Sequence, residues 1–270
     1  VSVAETASGV DRIAAAFSGH GRKAALMPYL MGGFPNTDES VRIAQAYIDG
    51  GADLIEFGLP FSDPLADGPV IHGAAVEALA NGAVIEKVID AIGPIAAQVP
   101  TLVMTYFNLI EARGIDRFMG RIADLGVSGV IAPDIPLEES APLLASCDAH
   151  GIALIPLVAP TTTEERMEKI CAQARGFIYT VSVAGTTGER TATAEGLNEL
   201  VGRVRAHTDL PVAVGFGISD AAQAAKVAEV ADGAIVGTRL VREAAEKHHA
   251  GEDPAPAVEA VVRELSNALE

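Results

Sequence analysis

Eight short apolar runs, each followed by an amphipathic stretch, set the tightest limit on how this chain can fold. The runs are Ala25–Met31, Leu54–Gly58, Thr101–Tyr106, Gly129–Ala132, Ala153–Leu157, Phe177–Val181, Val212–Phe216 and Gly233–Val236. They are short and continuously apolar, as strands buried on both faces are. Helical stretches alternate with them at Ser40–Asp49, Val84–Gln98, Asp116–Leu125, Glu138–His150, Thr163–Ala174, Leu197–His207, Asp220–Val230 and Thr238–His249. Eight such units predict an α/β fold, a closed (β/α)8 TIM barrel rather than an open sheet. Two further helices are expected, Thr6–Phe17 as an extra N-terminal helix plugging the barrel floor and Pro256–Leu269 as an extra C-terminal helix on the outer wall. No linker rich in proline and glycine divides the 270 residues, so residues 1–270 are read as a single (β/α)8 barrel domain.

Helix punctuation agrees with this drawing. Thr163 ahead of Arg166, and Ser219 with Asp220, have the side chains that cap helix N-termini. Gly126, Gly151 and Gly176 fall just past helix ends, where left-handed backbone favours glycine.

The second strand contains an anomaly. Side chains alternate along a strand, so Leu54, Glu56 and Gly58 share one face while Ile55 and Phe57 share the other. A carboxylate on a buried face is costly unless it has a partner or a chemical task. The loop that follows holds Pro60, Pro64 and Pro69 with the acids Asp63 and Asp67. Three fixed φ angles make it a stiff bracket, placing a second carboxylate near the first.

In a barrel of this kind the active site lies where strands end and βα loops begin. Small, glycine-rich turns follow strands six, seven and eight, and Gly188, Gly215, Gly217, Gly237 and Thr238 form a cradle that can take a phosphate on backbone N–H groups without a lysine. The plain alternative is that these glycines only make tight turns. Tyr29, Tyr106, Tyr179 and Phe216 all fall at strand ends in a chain with no tryptophan. Packing explains each one singly; as a group they suit a flat apolar ligand. The long loop 182–196 has the composition of a lid or of a plain surface loop, and Arg190 on it is read as exposed beside Glu189. No histidine pair has metal-ligand spacing, and no Ser–His–Asp arrangement occurs, so no metal is expected.

Charge and cysteine usage narrow the partners. A formal net charge of −17 argues against a surface for nucleic acid or anionic membrane, which attract clustered lysine and arginine. No run reaches the ~20 apolar residues of a membrane span. The N-terminus lacks the layout of a signal peptide, so a cytoplasmic location is expected. Cys147 and Cys171 are far apart, without metal or redox spacing, and read as reduced, buried thiols.

The segments PYLMGGFP, GADLIEFGLPFSDPLADGP, PDIPLEES and GFGIS together resemble the tryptophan synthase alpha subunit family, over almost the whole chain. The resemblance implies a (β/α)8 barrel that cleaves indole-3-glycerol phosphate to indole and glyceraldehyde 3-phosphate. It implies no cofactor in this chain, pyridoxal phosphate in a partner beta subunit, and an alpha2-beta2 complex in which indole passes to that subunit for tryptophan synthesis. Matched motif by motif, Glu56 and Asp67 are the catalytic acids. Tyr29, Ile71, Met104, Tyr106, Pro133, Tyr179 and Phe216 fall around the substrate's ring. Gly188, Gly217, Gly237 and Thr238 fall at its phosphate, and Asp63 faces the beta subunit. Thr238 stands where serine is common, which keeps the hydroxyl, whereas Val183 and Ala184 replace more polar loop residues.

The implied reaction is a reverse aldol, which requires protonation of indole C3 before the bond to the glycerol chain breaks. Glu56, with a pKa raised by its apolar strand, is assigned the general acid; Asp67, in a polar loop, is expected to stay ionised and accept the ring N–H. Three readings remain beside this one: a barrel acting on another sugar phosphate, a stand-alone lyase releasing free indole, and a non-catalytic regulatory subunit that binds a phosphorylated ligand. Retention of both acids argues against the last.

Overall fold

The computed structural model describes residues 7–181, 194–215 and 217–270. After α1 (Gly9–Gly19), strands and helices alternate. β1 (Ala25–Met31) leads to α2 (Thr37–Asp49), and β2 (Ile55–Gly58) leads to α3 (Pro69–Ala80), α4 (Ile85–Asp90) and α5 (Gly93–Ala96). β3 (Thr101–Met104) precedes α6 (Phe107–Glu111) and α7 (Ile115–Asp124). β4 (Gly129–Ile131) continues through a tight turn at Leu137–Glu139 into α8 (Ala141–Ala149). Next come β5 (Ala153–Leu154), β6 (Leu157–Val158) and α9 (Glu164–Gln173), then β7 (Ile178–Val181) and α10 (Ala194–Arg205). β8 (Val212–Gly215) precedes α11 (Ala221–Ala228), and β9 (Gly233–Val236) is followed by α12 (Thr238–His249) and α13 (Pro254–Ala268).

Every strand pair is parallel, in the order β5-β4-β3-β2-β1-β9-β8-β7-β6. The two ends of that order, β5 and β6, are halves of one bent strand. Between them Ile155 donates its N–H to Val130 O at 3.0 Å on one side, and Pro156 O accepts from Tyr179 N at 3.1 Å on the other. The sheet therefore closes as an eight-position barrel, with the fifth predicted strand broken where Pro156 has no N–H to offer the ladder.

The alternation read from the sequence holds. Ala25, Met27, Leu54, Leu102, Ile131, Ala153, Ile155, Phe177, Ala213 and Ile235 fill the barrel interior, while Ile55, Phe57, Val103, Val130, Ile178 and Val214 face the helices. Burying a Leu, Ile, Val, Met or Phe side chain fully is worth about 1.5–3 kcal/mol. α1 closes the floor: Ile13 joins the interior cluster, the Phe17 ring lies 5.2 Å from that of Phe177, and Arg12 donates to Ala96 O and Gly126 O, both at 2.6 Å. α13 packs against α2 and α12 on the outside. The barrel below Glu56 is thus solid, so a ligand can enter only from the mouth.

Local signals account for most boundaries. Thr163 accepts from Arg166 N at 3.4 Å and Asp220 from Gln223 N at 2.8 Å. Gly126, Gly151 and Gly176 all have positive φ. Where the structure differs, proline is the usual cause. Pro94 cannot continue a helical ladder, so the predicted helix Val84–Gln98 breaks into α4 and α5. Pro142 likewise delays α8 to Ala141. The third strand stops at Met104 because Tyr106 turns to cap α6. α1 starts at Gly9 because Ser8 and Asp11 form a capping box. Cys147 and Cys171 are free and buried.

Candidate active site

Glu56 occupies the inner face of β2 and is 1% exposed. Neither carboxyl oxygen has a hydrogen bond of normal geometry among the described residues. Burial and the nearby charge of Asp67 push its pKa up to about 8, against a smaller opposing pull from the Tyr179 hydroxyl. Such a group is a protonated acid at neutral pH, able to donate a proton and to take one back.

Asp67 comes from the loop between β2 and α3. Burial raises its pKa as well, while the Tyr106 hydroxyl and His72 draw it back down. The two acids therefore sit in unlike surroundings, one in an apolar strand and one among polar groups. Tyr29 feels the charge of Asp67, Glu56, Tyr106 and Tyr179 together, so these five side chains form one cluster. Burial holds the phenols of Tyr29 and Tyr179 well above the ordinary tyrosine value, so both are neutral hydrogen-bonding groups.

Two glycines make room for these phenols. A Cβ at Gly58 would fall 2.2 Å from the Tyr29 hydroxyl, and one at Gly215 would fall 2.8 Å from the Tyr179 ring. Gly215, read from the sequence as part of the phosphate cradle, thus also makes room for Tyr179. Gly58 and His72 were not singled out by that reading. Gly58 carried a signal, since it shares the inward face with Glu56; exposed His72 carried none.

The other predicted positions divide. Met104 ends β3 beside Gly58, and its carbonyl accepts from Leu59 N at 2.9 Å. Ile71, on the first turn of α3, would meet a Cβ at Gly237 at 3.6 Å. Thr238 begins α12 and Gly237 precedes it. The first N–H groups of a twelve-residue helix lack intrahelical acceptors, and its dipole favours an anion there. Gly217 has φ +61°, and among the described residues none but its chain neighbours would come within 4 Å of a Cβ there. Asp63 lies at the exposed loop tip, accepting from Ser62 Oγ at 2.5 Å, and Leu65 two residues on is 78% exposed. Pro133 lines a cavity of about 170 Å³ between α8 and α9, with Leu154, Pro156 and Arg166. That cavity contains neither acid. Gly188, Phe216, Val183, Ala184 and Arg190 lie outside the described residues.

A (β/α)8 barrel whose mouth brings together a buried carboxyl of raised pKa, a second acid and the first turn of a helix has the parts of one class, an acid–base enzyme. The comparisons with known proteins then fix the family. The model for the tryptophan synthase alpha chain matches residues 17–270. The tryptophan synthase alpha chain of Methanosarcina acetivorans is 45% identical over 92% of this chain and 89% of its own length, and that of Thermobifida fusca is 48% identical over 80% and 82%. A chain of Mycobacterium tuberculosis tryptophan synthase superposes with a TM-score of 0.88 at 37% identity, covering 98% of this chain and 99% of that one. The chain belongs to the tryptophan synthase alpha chain family.

Proposed function

We infer that this chain cleaves indole-3-glycerol phosphate to indole and glyceraldehyde 3-phosphate, and that indole passes to a tryptophan synthase beta subunit in an alpha2-beta2 complex. The observation that carries the chemistry is Glu56, fully buried on the inner face of β2, with its pKa pushed up to about 8 by that burial and by the charge of Asp67. Glu56 donates its proton to indole C3, which puts positive charge on the ring nitrogen. Asp67 accepts the ring N–H and stabilises that charge. The Glu56 carboxylate then takes the proton of the side-chain hydroxyl; a carbonyl forms there, the carbon–carbon bond breaks, and its electron pair restores the aromatic ring. One proton leaves Glu56 and one returns, so the enzyme ends as it began.

Tyr29, Ile71, Met104, Tyr106, Pro133, Tyr179 and Phe216 are assigned to the ring, and Gly188, Gly217, Gly237 and Thr238 to the phosphate. Asp63, exposed at the loop tip, is assigned to the partner-facing surface. The reaction runs on side-chain acids, and pyridoxal phosphate belongs to the beta subunit. We place the enzyme in the cytoplasm as a single barrel domain; no helix among the described residues is long and apolar enough to cross a membrane. Indole release from indole-3-glycerol phosphate, by the chain alone and then with a beta subunit, tests the function. Absence of release under both conditions contradicts it.

A further inference from the structure

The loop that carries Asp67 is an exposed bracket: Ser62, Asp63, Leu65 and Ala66 all face solvent. Three prolines stiffen such a loop, but stiffness does not place it. Placement needs a fixed point on the barrel. One side chain meets both ends of this bracket. At its start the Phe61 ring stacks on the Tyr106 ring, with centroids 5.3 Å apart and planes at 28°. At its end Ala66 N–H donates to the Tyr106 hydroxyl at 2.9 Å, one residue before Asp67.

Tyr106 is itself held from two directions. It is 4% exposed, and it stands two residues past the end of β3, next to Thr105, whose N–H donates to Ile131 O at 3.0 Å. On its other side Phe107 N–H donates to the Asp134 carboxylate at 2.8 Å, tying the turn to the segment after β4. The backbone that carries the phenol is thereby fixed to the barrel.

We propose that Tyr106 is the positioning residue of the Asp67 loop, its ring seating Phe61 and its hydroxyl seating Ala66 so that the carboxylate of Asp67 is aimed at the ring N–H. The assignment rests on the reading in which Asp67 takes part in cleavage. It differs from a role as pocket wall, which needs the ring of Tyr106 but not its hydroxyl, and does not need Phe61. Misplacing a reacting group by about 1 Å can cost on the order of 100-fold in rate.

Steady-state cleavage of indole-3-glycerol phosphate by Tyr106→Phe, Phe61→Leu, the double variant and Asp67→Asn tests the proposal. Tyr106→Phe retains the stack and deletes the acceptor; Phe61→Leu does the reverse. Each single change is expected to lower kcat between about 10- and 100-fold with KM changed less than about 3-fold. The double variant should lose less than the product of the two, since both act through one loop. The acid limb of the pH profile of kcat/KM should move upward in Tyr106→Phe, which loses the hydroxyl that draws the Asp67 pKa down, and stay in place in Phe61→Leu. If Tyr106→Phe fails to fold, as judged by thermal unfolding, Phe61→Leu alone decides. Normal kcat in the folded variants beside an inactive Asp67→Asn overturns the proposal and leaves the catalytic reading intact. A silent Asp67→Asn overturns both.

Discussion

Glu56 lies opposite Tyr29 in the parallel register of β1 and β2, so a carboxyl with its pKa pushed up to about 8 stands beside a phenol held well above its own ordinary range. Neither group is charged at neutral pH. At this pair of strands the barrel mouth therefore offers a proton to give rather than a charge to pair with, as a reaction that begins by protonating a carbon requires.

Replacing Glu56 with glutamine preserves shape and removes the transferable proton. Turnover should fall by at least ~100-fold, the lower end for a general acid–base group. Glycerol phosphate, measured by calorimetry, should bind Glu56→Gln as it binds the parent chain. Near-normal turnover would remove Glu56 from the mechanism.

The raised pKa of Glu56 also has a cost in stability. In the unfolded chain this carboxyl ionises near 4.5, whereas in the folded protein it stays protonated up to about 8. The folded state thus binds the extra proton, and stability contributed by the protonated form is present below pH 4.5 and is lost as pH rises to about 8. The penalty at high pH is on the order of a few kcal/mol. Glu56→Gln lacks it, so its unfolding midpoint should exceed the parent's at pH 9 and the difference should shrink towards pH 5. A gap that does not vary with pH would place the Glu56 pKa near its ordinary value.

Gly58 can be tested by a single methyl. With a Cβ only 2.2 Å from the Tyr29 hydroxyl, Gly58→Ala must move that phenol. We expect a folded protein with kcat reduced about 10-fold or more through disturbed geometry around Glu56. A variant with full activity would show that the contact has no bearing on the acid.

The phosphate assignment is separable from the acids. Gly217 has φ +61°, a conformation that a β-branched side chain adopts only with strain. Gly217→Val should weaken glycerol phosphate binding by at least about 10-fold while far-ultraviolet dichroism stays the same. Unchanged affinity would show that the anion binds elsewhere.

Much of this was legible in the residues because the barrel repeats one simple pattern. Each strand is a short apolar run, and alternation along Leu54, Glu56 and Gly58 puts the acid inside before any coordinate is known. The fifth strand bends at Ile155 and Pro156, where the proline was the signal of a break inside a run otherwise apolar throughout. Other features had no local signature. α3 was not foreseen because Pro69–Ala80 carries apolar residues nearly all round, without the polar face that marks a surface helix. The seating of Tyr179 over Gly215, and of Phe61 on Tyr106, are contacts between distant segments that no spacing reveals. Pro133 points to the same limit: its position after β4 is plain, but the cavity it lines depends on how α8 and α9 pack.

In the reaction inferred for this chain, Glu56 hands a proton to indole C3 while Asp67 holds the ring nitrogen. A crystal structure with a non-cleavable indole glycerol-phosphate analogue tests it in one step. C3 is expected within hydrogen-bonding reach of the Glu56 carboxyl, the ring N–H on Asp67 and the phosphate at the start of α12. An analogue seated with its ring away from both acids would contradict it.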